Sequence, residues 1–164
     1  MFFSPSSQQA LRALIHLARE NSDQPVLVRD IALAEAIPHP YLCKLLHRLR
    51  NRGIVKSTRG PGGGYTLARP AECIVLTDVV ETFEGTQTLD KQCILGLDEC
   101  NEANPCALHE RWRSFREEFE AHIGSMTLHD VTDTLAGKRE RKRAGSSGKP
   151  TQTSRSQRKA PRKR

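Results

Sequence analysis

The sequence predicts a mostly helical fold with a small β hairpin and a long helix in its C-terminal half. Two apolar stripes at helical spacing, around Leu14 and around Leu45, predict short packed helices. A turn rich in glycine and proline at 60–64 joins two β-type runs, which is the pattern of a hairpin. Large apolar residues that recur every three or four positions from Leu108 to Met126 predict the long helix.

The N-terminal region is predicted to contain three helices. Ser4 and Pro5 suit the N-cap and first position of a helix whose apolar stripe runs through Leu14. A short second helix is expected over Val28 to Ala36, followed by a turn at 37–40. Pro40 is expected to begin the third helix and Gly53 to end it.

The third helix and the hairpin together predict a winged helix-turn-helix domain. Leu42, Leu45, Leu46 and Leu49 form the buried side of that helix, which leaves Lys44 and His47 on the opposite side. In such domains this helix, here called the reading helix, enters the major groove of DNA. The hairpin, here called the wing, lies along the DNA backbone or in the minor groove. The alternative is a generic hairpin with solvated arginines.

The predicted DNA-binding residues lie at the start of the second helix, on the reading helix and in the wing. They are Arg29, Pro40, Tyr41, Lys44, His47, Arg48, Asn51, Arg59, Gly60, Gly62, Gly63 and Tyr65. Between Ala36 and Ala71 the chain has seven Lys and Arg residues and no acid. A stretch of one charge sign in this position is typical of a surface that binds a polyanion. Double-stranded DNA is therefore the expected partner.

The net charge of the whole chain, in contrast, comes from its C-terminal tail. The 164 residues carry a net charge of +7, yet the residues before Lys138 carry −4, because Lys138 to Arg164 contain twelve Lys and Arg residues and one acid. Residues 137–164 lack large apolar side chains and are predicted to be disordered. This basic tail either adds a salt-sensitive attraction to phosphate or is only a solubilising extension.

The cellular location expected from the sequence is the cytoplasm, with no membrane partner. Residues 1–6 have neither the basic nor the apolar part of a signal peptide. No apolar stretch approaches the roughly 20 residues that a membrane span needs. Cysteines in that compartment are expected to stay reduced, which favours metal binding over disulfides.

Three cysteines and a histidine, at Cys93, Cys100, Cys106 and His109, form the predicted metal site. Asn104 and Pro105 suit a helix start, which would place Cys106 in the first helical turn and His109 on the same face. Three thiolates and one imidazole satisfy either tetrahedral zinc or an iron–sulfur cluster with one nitrogen ligand. Zinc sites usually contain a closer cysteine pair, and sensing by metal-free thiols is a third possibility.

Two remaining cysteines have simpler expectations. Cys73 lies in an apolar run and is expected to be a small core residue. Cys43 lies at the edge of the reading helix, where core packing and groove contact are equally expected.

The reading helix, the wing sequence Arg59-Gly-Pro-Gly-Gly-Gly-Tyr65 and the spaced cysteines together resemble the IscR/NsrR family of Rrf-type transcription regulators. The likeness covers roughly residues 10–135. It implies a homodimeric winged-helix repressor or activator whose iron–sulfur cluster adjusts promoter binding in response to redox state, nitric oxide or iron supply. It also implies a 2Fe–2S cluster held by the four residues above, because relatives with a 4Fe–4S cluster can use a carboxylate where this chain has Gln8. The first spacing departs from the family, with six residues between Cys93 and Cys100 instead of five.

The predicted long helix, from about Pro105 to Ile123 and ended by Gly124, is expected to form a dimer. Its apolar residues follow a heptad-like spacing, while the intervening positions are charged. The predicted interface consists of Leu108, Trp112, Phe115, Phe119, His122, Ile123 and Met126. The alternative is a helix that packs on its own domain. A dimer would present two reading helices to half-sites of a palindromic promoter about 34 Å apart.

The sequence therefore predicts three regions: a winged helix-turn-helix domain at 1–72, a cluster-binding loop with a dimerisation helix at 73–136, and the tail at 137–164. Loss or oxidation of the cluster is expected to free residues 90–102 and to change the pose of the two reading helices. No phosphate-binding loop, dinucleotide fingerprint or catalytic triad is present, so an enzyme is not expected. The rival interpretations are a structural-zinc or thiol-based winged-helix regulator and, further away, an electron-transfer iron–sulfur protein.

Overall fold

The computed structural model describes residues 3–20, 24–85, 93–96 and 102–135. Its elements, in chain order, are α1 (Pro5–Glu20), α2 (Val28–Glu35), α3 (His39–Asn51), β1 (Val55–Thr58), β2 (Gly64–Leu67), a 3-10 helix (Ala71–Cys73), α4 (Leu76–Glu84) and α5 (His109–Ser125). A last helix, α6, covers 128–135. The mostly helical fold with one β hairpin is the one that the sequence predicts. The predicted tail at 137–164 and Cys100 lie outside the described residues.

Helix α1 begins where the sequence predicts. The backbone N–H of Ser7 donates to Ser4 Oγ at 3.3 Å, so Ser4 caps the helix and Pro5 occupies its first position. The apolar stripe faces inward, with Ala10, Ala13 and Leu14 fully buried. This helix forms one wall of the core on which α3 and the wing rest.

Helices α2 and α3 meet at a tight turn. Ala36 ends α2 in the left-handed conformation, with φ of 50°, and Ile37 donates its N–H to the Ala32 carbonyl oxygen at 3.0 Å. The reading helix, α3, starts at His39, one residue before the predicted Pro40. Its apolar stripe is buried as predicted, and Gly53, with φ of 68°, ends it. The turn thereby fixes the angle between the two helices of the motif.

The wing is an antiparallel pair of strands. Val55 pairs with Leu67 at its base and Thr58 with Gly64 near its tip. Val26 and Tyr65 exchange two backbone hydrogen bonds of 2.9 Å, which join the wing to the residues before α2. The wing is thus held at both its base and one edge.

Helix α4 joins the winged domain to the C-terminal helices. Leu76 donates its backbone N–H to Met126 O at 3.0 Å, and Leu128 donates to Ile74 O at 2.8 Å. Ile74, Val79 and Leu128 are fully buried in the same apolar core as the residues of α1 and α3. The core is therefore continuous across position 72, where the sequence predicts a domain boundary.

Helix α5 starts later than predicted. The sequence indicates a start at Pro105, but the helical hydrogen bonds begin where Trp112 donates to Leu108 O at 2.8 Å. No side chain caps the start of the helix, so the Asn104-Pro105 signal does not begin it. Gly124 lies within the helix, which ends at Ser125. Among the described helices, none is long and apolar enough to cross a membrane.

Candidate nucleic-acid interface and cysteine segment

The reading helix presents an exposed polar face. Pro40, Lys44, His47 and Asn51 are all exposed there, as predicted. The His47 ring lies 3.3 Å from both Arg50 Nη2 and Asn51 Nδ2. These contacts order the polar side chains into one surface, from which amide, imidazole and guanidinium groups can reach base edges or phosphates.

Two predicted DNA-binding residues of the same helix point elsewhere. The Tyr41 hydroxyl is hydrogen-bonded to Ser6 Oγ at 2.7 Å, and its ring packs on the core. The Arg48 guanidinium contacts Thr82 and Phe83 of α4. Both side chains therefore contact other helices of the protein, and neither belongs to the exposed polar face of the reading helix.

The wing carries its predicted residues in two groups. Arg59, Gly60 and Gly62 are exposed at the turn, where Gly60 has φ of 104°, a conformation that favours glycine. Gly63 and Tyr65 are half-buried and belong to the wing's own packing. The exposed turn is the part of the wing that can approach a DNA backbone.

An open cleft of about 540 Å³ lies between the starts of α2 and α3 and the wing. Arg29, His39, Arg50 and Arg59 line it. The sequence predicts Arg29 and Arg59 as DNA-binding residues. It does not single out Arg50, and it places His39 in the turn before the reading helix. Arg50 could have been found, because it belongs to the acid-free basic stretch.

Most basic residues of that stretch have no acidic partner. Arg69 is the exception, since its Nη2 lies 2.6 Å from Asp78 Oδ2. Within the described part of the chain, no carboxylate pairs with the other exposed basic residues of the stretch, which are Lys44, Arg48, Arg50, Arg52, Lys56 and Arg59. All but Arg48, which contacts α4, are open to a polyanion, and this gives the face of the reading helix and wing its positive potential.

The structure describes residues 93–96 and 102–109 of the cysteine segment, which comprises residues 93–109. Cys93 is half-buried, and its carbonyl accepts a hydrogen bond from Gly96 N–H at 3.0 Å. Cys106 is also half-buried and precedes α5, so its predicted place inside the first helical turn is wrong. His109 is buried, and its backbone N–H donates to Cys106 O at 3.0 Å, which puts the two residues on one turn.

No metal-binding group is formed by the described part of this segment. Among residues 3–20, 24–85, 93–96 and 102–135, no three Cys, His, Asp or Glu side chains lie close enough together to hold an ion. Cys93 is thus not brought to Cys106 and His109. Gln8, for its part, is exposed and donates from Nε2 to Phe3 O at 2.8 Å.

An ion-pair cluster links Glu102 of the cysteine segment to α5. Arg113 contacts Glu102 Oε1 at 2.6 Å and Glu110 Oε1 at 2.7 Å. The Glu110 carboxylate raises the pKa of the Arg113 guanidinium above its usual value, first through the hydrogen bond and then through its charge. These groups are exposed, so the cluster restrains the segment only weakly.

Of the two cysteines outside the segment, Cys43 and Cys73, only Cys73 lies elsewhere than the sequence predicts. Cys73 is exposed, not in the core, because the 3-10 helix turns it outward and buries the next residue, Ile74. Cys43 is half-buried, with Sγ 3.8 Å from His39 Nδ1. It therefore lies beside the cleft.

Helix α5 carries a row of aromatic rings, here called the aromatic face. Trp112 and Phe115 stack with ring centroids 5.8 Å apart, and Phe115 and Phe119 stack at 6.1 Å. Phe3 adds a ring 5.9 Å from that of Phe119. Leu108 and His122 are exposed and Met126 is half-buried, whereas Ile123 is buried within the chain itself. All the predicted interface residues except Ile123 thus keep some exposed surface.

Residues 3–134 match the Rrf2 family model, described as an iron-dependent transcriptional regulator. The chain belongs to the Rrf2 family. The match spans the winged domain, the cysteine segment and α5, which confirms the resemblance read from the wing and the cysteine spacing.

Individual Rrf2-family relatives agree with this assignment. An HTH-type transcriptional regulator of Aquifex aeolicus is 36% identical over 133 residues, which are 80% of this chain and 91% of the relative. The HTH-type transcriptional regulator IscR of Xenorhabdus nematophila is 30% identical over 93% of this chain and 96% of its own. Among solved structures, CymR, the global cysteine regulator of B. subtilis, has a TM-score of 0.70 at 28% identity, over 82% of this chain and 98% of its own.

Membership of the Rrf2 family identifies the chain as a DNA-binding transcription regulator. Its relatives are named as regulators and not as enzymes, which agrees with the prediction that this chain is not an enzyme. The winged helix-turn-helix architecture is confirmed as well.

Proposed function

We propose that this Rrf2-family regulator acts as a homodimer whose promoter affinity is adjusted by an iron–sulfur cluster. Cys93, Cys100, Cys106 and His109 would hold the cluster, and α3 with the wing would bind DNA. The observation that carries the proposal is the position of the cysteine segment, which links the end of α4 to the start of α5.

The DNA contacts are proposed from exposure and charge. The exposed side chains of Lys44, His47 and Asn51 would enter the major groove, while Arg59 and the wing turn would contact the adjacent backbone. Arg29, His39 and Arg50 would contribute from the cleft. Tyr41 is proposed to support the reading helix through Ser6 instead of touching DNA.

The dimer contact is proposed to be the aromatic face of α5. Phe115 is 44% exposed and Leu108 is 43% exposed, which is unusual for large apolar side chains of a helix that already packs against its own domain. A second copy of this face would remove these side chains from water. Two reading helices in such a dimer would address a palindromic site with half-sites about 34 Å apart.

The donor set suits an iron–sulfur cluster by its chemistry. Thiolates are the usual ligands of such clusters, and an imidazole can replace one of them. Cys106 and His109 already share one turn, joined by the 3.0 Å backbone hydrogen bond. When bound, the cluster would supply a centre whose charge and ligation respond to oxidants. Loss of the cluster would act on the rest of the protein through the end of α4 at Gly85, which precedes the segment, and through Glu102, which lies within it and pairs with Arg113 of α5.

A thiol-based regulator is the second candidate. The likeness to CymR favours it, because a solved CymR structure from Staphylococcus aureus is described as an oxidized form. Structural zinc on the same four residues is the remaining alternative.

Visible absorption together with iron, sulfide and zinc content of the protein purified without air tests the proposal. The expected result is a coloured protein with iron and sulfide that Cys106→Ser loses. The matched control is Cys73→Ser, because Cys73 is an exposed cysteine outside the proposed ligand set and its replacement should leave the colour unchanged. A colourless protein with zinc would contradict the iron–sulfur proposal in favour of structural zinc. A metal-free protein would contradict it in favour of thiol sensing.

A further inference from the structure

Arg48 joins the reading helix to the end of α4. Its Nη2 donates a hydrogen bond to the Thr82 carbonyl oxygen, and its Cζ lies 4.6 Å from the centroid of the Phe83 ring. The guanidinium therefore makes a charge-assisted hydrogen bond and a cation–π contact at the same time. Both partners belong to α4.

The end of α4 is chemically suited to receive this side chain. Thr82 lies in the last turn of the helix, where carbonyl groups have no partner within the helix itself. The C-terminal end of a helix also carries partial negative charge, which attracts a cation. A planar guanidinium can bond the carbonyl and stack on the ring together, whereas a lysine ammonium cannot do both well.

Helix α4 is itself held at both ends. Ser4, at the start of α1, donates its backbone N–H to Glu84 Oε1 at 2.7 Å. At the other end, Leu76 donates to Met126 O, just beyond α5. The chain continues from α4 through Gly85 toward Cys93. Arg48 thus connects the DNA-reading helix to the helix that leads into the cysteine segment.

We propose that Arg48 is a positioning residue that holds the reading helix against the C-terminal end of α4, and that it does not contact DNA phosphate. The proposal rests on DNA binding by this family and not on the nature of any bound cluster. The position of Arg48 on the reading helix suggests a contact with DNA. Its contacts with Thr82 and Phe83 indicate a structural role instead.

The dependence of DNA affinity on salt separates the two roles. A lost phosphate contact makes the slope of log K against log[salt] less steep by about 0.9, whereas a lost positioning contact leaves the slope unchanged. The probe is a duplex selected from a random library by the wild-type protein, and the protein is metal-free and reduced. Arg48→Gln is expected to lower affinity about three- to tenfold, the range for one such contact at a partly exposed site, with the wild-type slope.

Two further variants of the reading helix sharpen the comparison. Arg48→Lys keeps the charge, so a phosphate contact would survive it. The positioning role instead predicts a loss of affinity close to that of Arg48→Gln. Arg50→Gln is the matched control, because Arg50 is an exposed arginine in the same helical turn and lines the cleft. This variant is expected to show a less steep dependence of log K on log[salt].

Variants of Phe83 test the same contact from the α4 side. Phe83→Leu removes the ring face and is expected to lower affinity with an unchanged slope, while Phe83→Tyr keeps the ring and the wild-type affinity. Circular dichroism must show each variant folded at the assay temperature. A less steep salt dependence in Arg48→Gln, wild-type affinity in Arg48→Gln, or wild-type affinity in Phe83→Leu would overturn the proposal.

Discussion

Replacing Phe115 by alanine is expected to weaken the proposed dimer without unfolding the protomer. Phe115 is 44% exposed in the single chain, and complete burial of a phenylalanine contributes about 1.5–3 kcal/mol. Covering the exposed part therefore contributes about 1 kcal/mol in each protomer and about 2 kcal/mol in a symmetric dimer. Since each 1.4 kcal/mol corresponds to a factor of ten, the dimer dissociation constant should rise about 30-fold.

Sedimentation equilibrium over a series of protein concentrations measures this constant. Leu33→Ala is the matched control, because Leu33 is 76% exposed but lies on α2, far along the chain from the aromatic face. The control should dimerise like the wild type. Equal dissociation constants for wild type and Phe115→Ala, or an equal weakening by Leu33→Ala, would refute the assignment of the interface to α5.

Two further predictions concern stability, each measured by urea unfolding. In Gly64→Ala the new Cβ would overlap the Val26 carbonyl oxygen, so a cost of about 1–3 kcal/mol is expected. In Gly124→Ala the new Cβ would meet Thr77 Cγ2 at 3.9 Å, an ordinary contact, so a gain of about 0.5–1 kcal/mol is expected. Equal effects would contradict this account of the wing. Thr127→Ala should cost about 0.5–2 kcal/mol at pH 7, because Thr127 caps α6. The Thr127 backbone N–H and hydroxyl both donate to the Asp130 carboxylate and hold its pKa below the usual value. Thr127→Ala removes only the hydroxyl, so the part of the difference that comes from the hydroxyl–carboxylate bond should be present above about pH 4 and shrink as the pH falls below it; a difference that does not change with pH would contradict this bond's contribution.

The elements that sequence patterns predict well are those with local signals. The Ser4-Pro5 start, the leucine stripe of the reading helix and the stop at Gly53 all depend on residues close together in the chain. The wing follows equally from its glycine-rich turn between β-type runs. These signals suffice for the winged fold and for its exposed basic face.

The parts that the sequence could not predict depend on contacts between distant segments. The sequence predicts the exposed position of Arg48 on the reading helix but not its contact with Thr82, because it does not predict helix α4. The exposure of Cys73 could not be predicted either, because the short 3-10 helix determines which side of the apolar run is buried. The Asn104-Pro105 signal resembles a helix start, but the first helical hydrogen bond belongs to Trp112.

One measurement tests the central claim most directly, namely that the cysteine segment controls DNA binding. It compares the affinity of the iron-loaded and the metal-free protein for the same selected duplex at one fixed salt concentration. The account predicts that the two dissociation constants differ by about 5- to 150-fold, the usual range of coupling between two sites. Equal dissociation constants for an iron-loaded and a metal-free protein, both folded and dimeric, would contradict it.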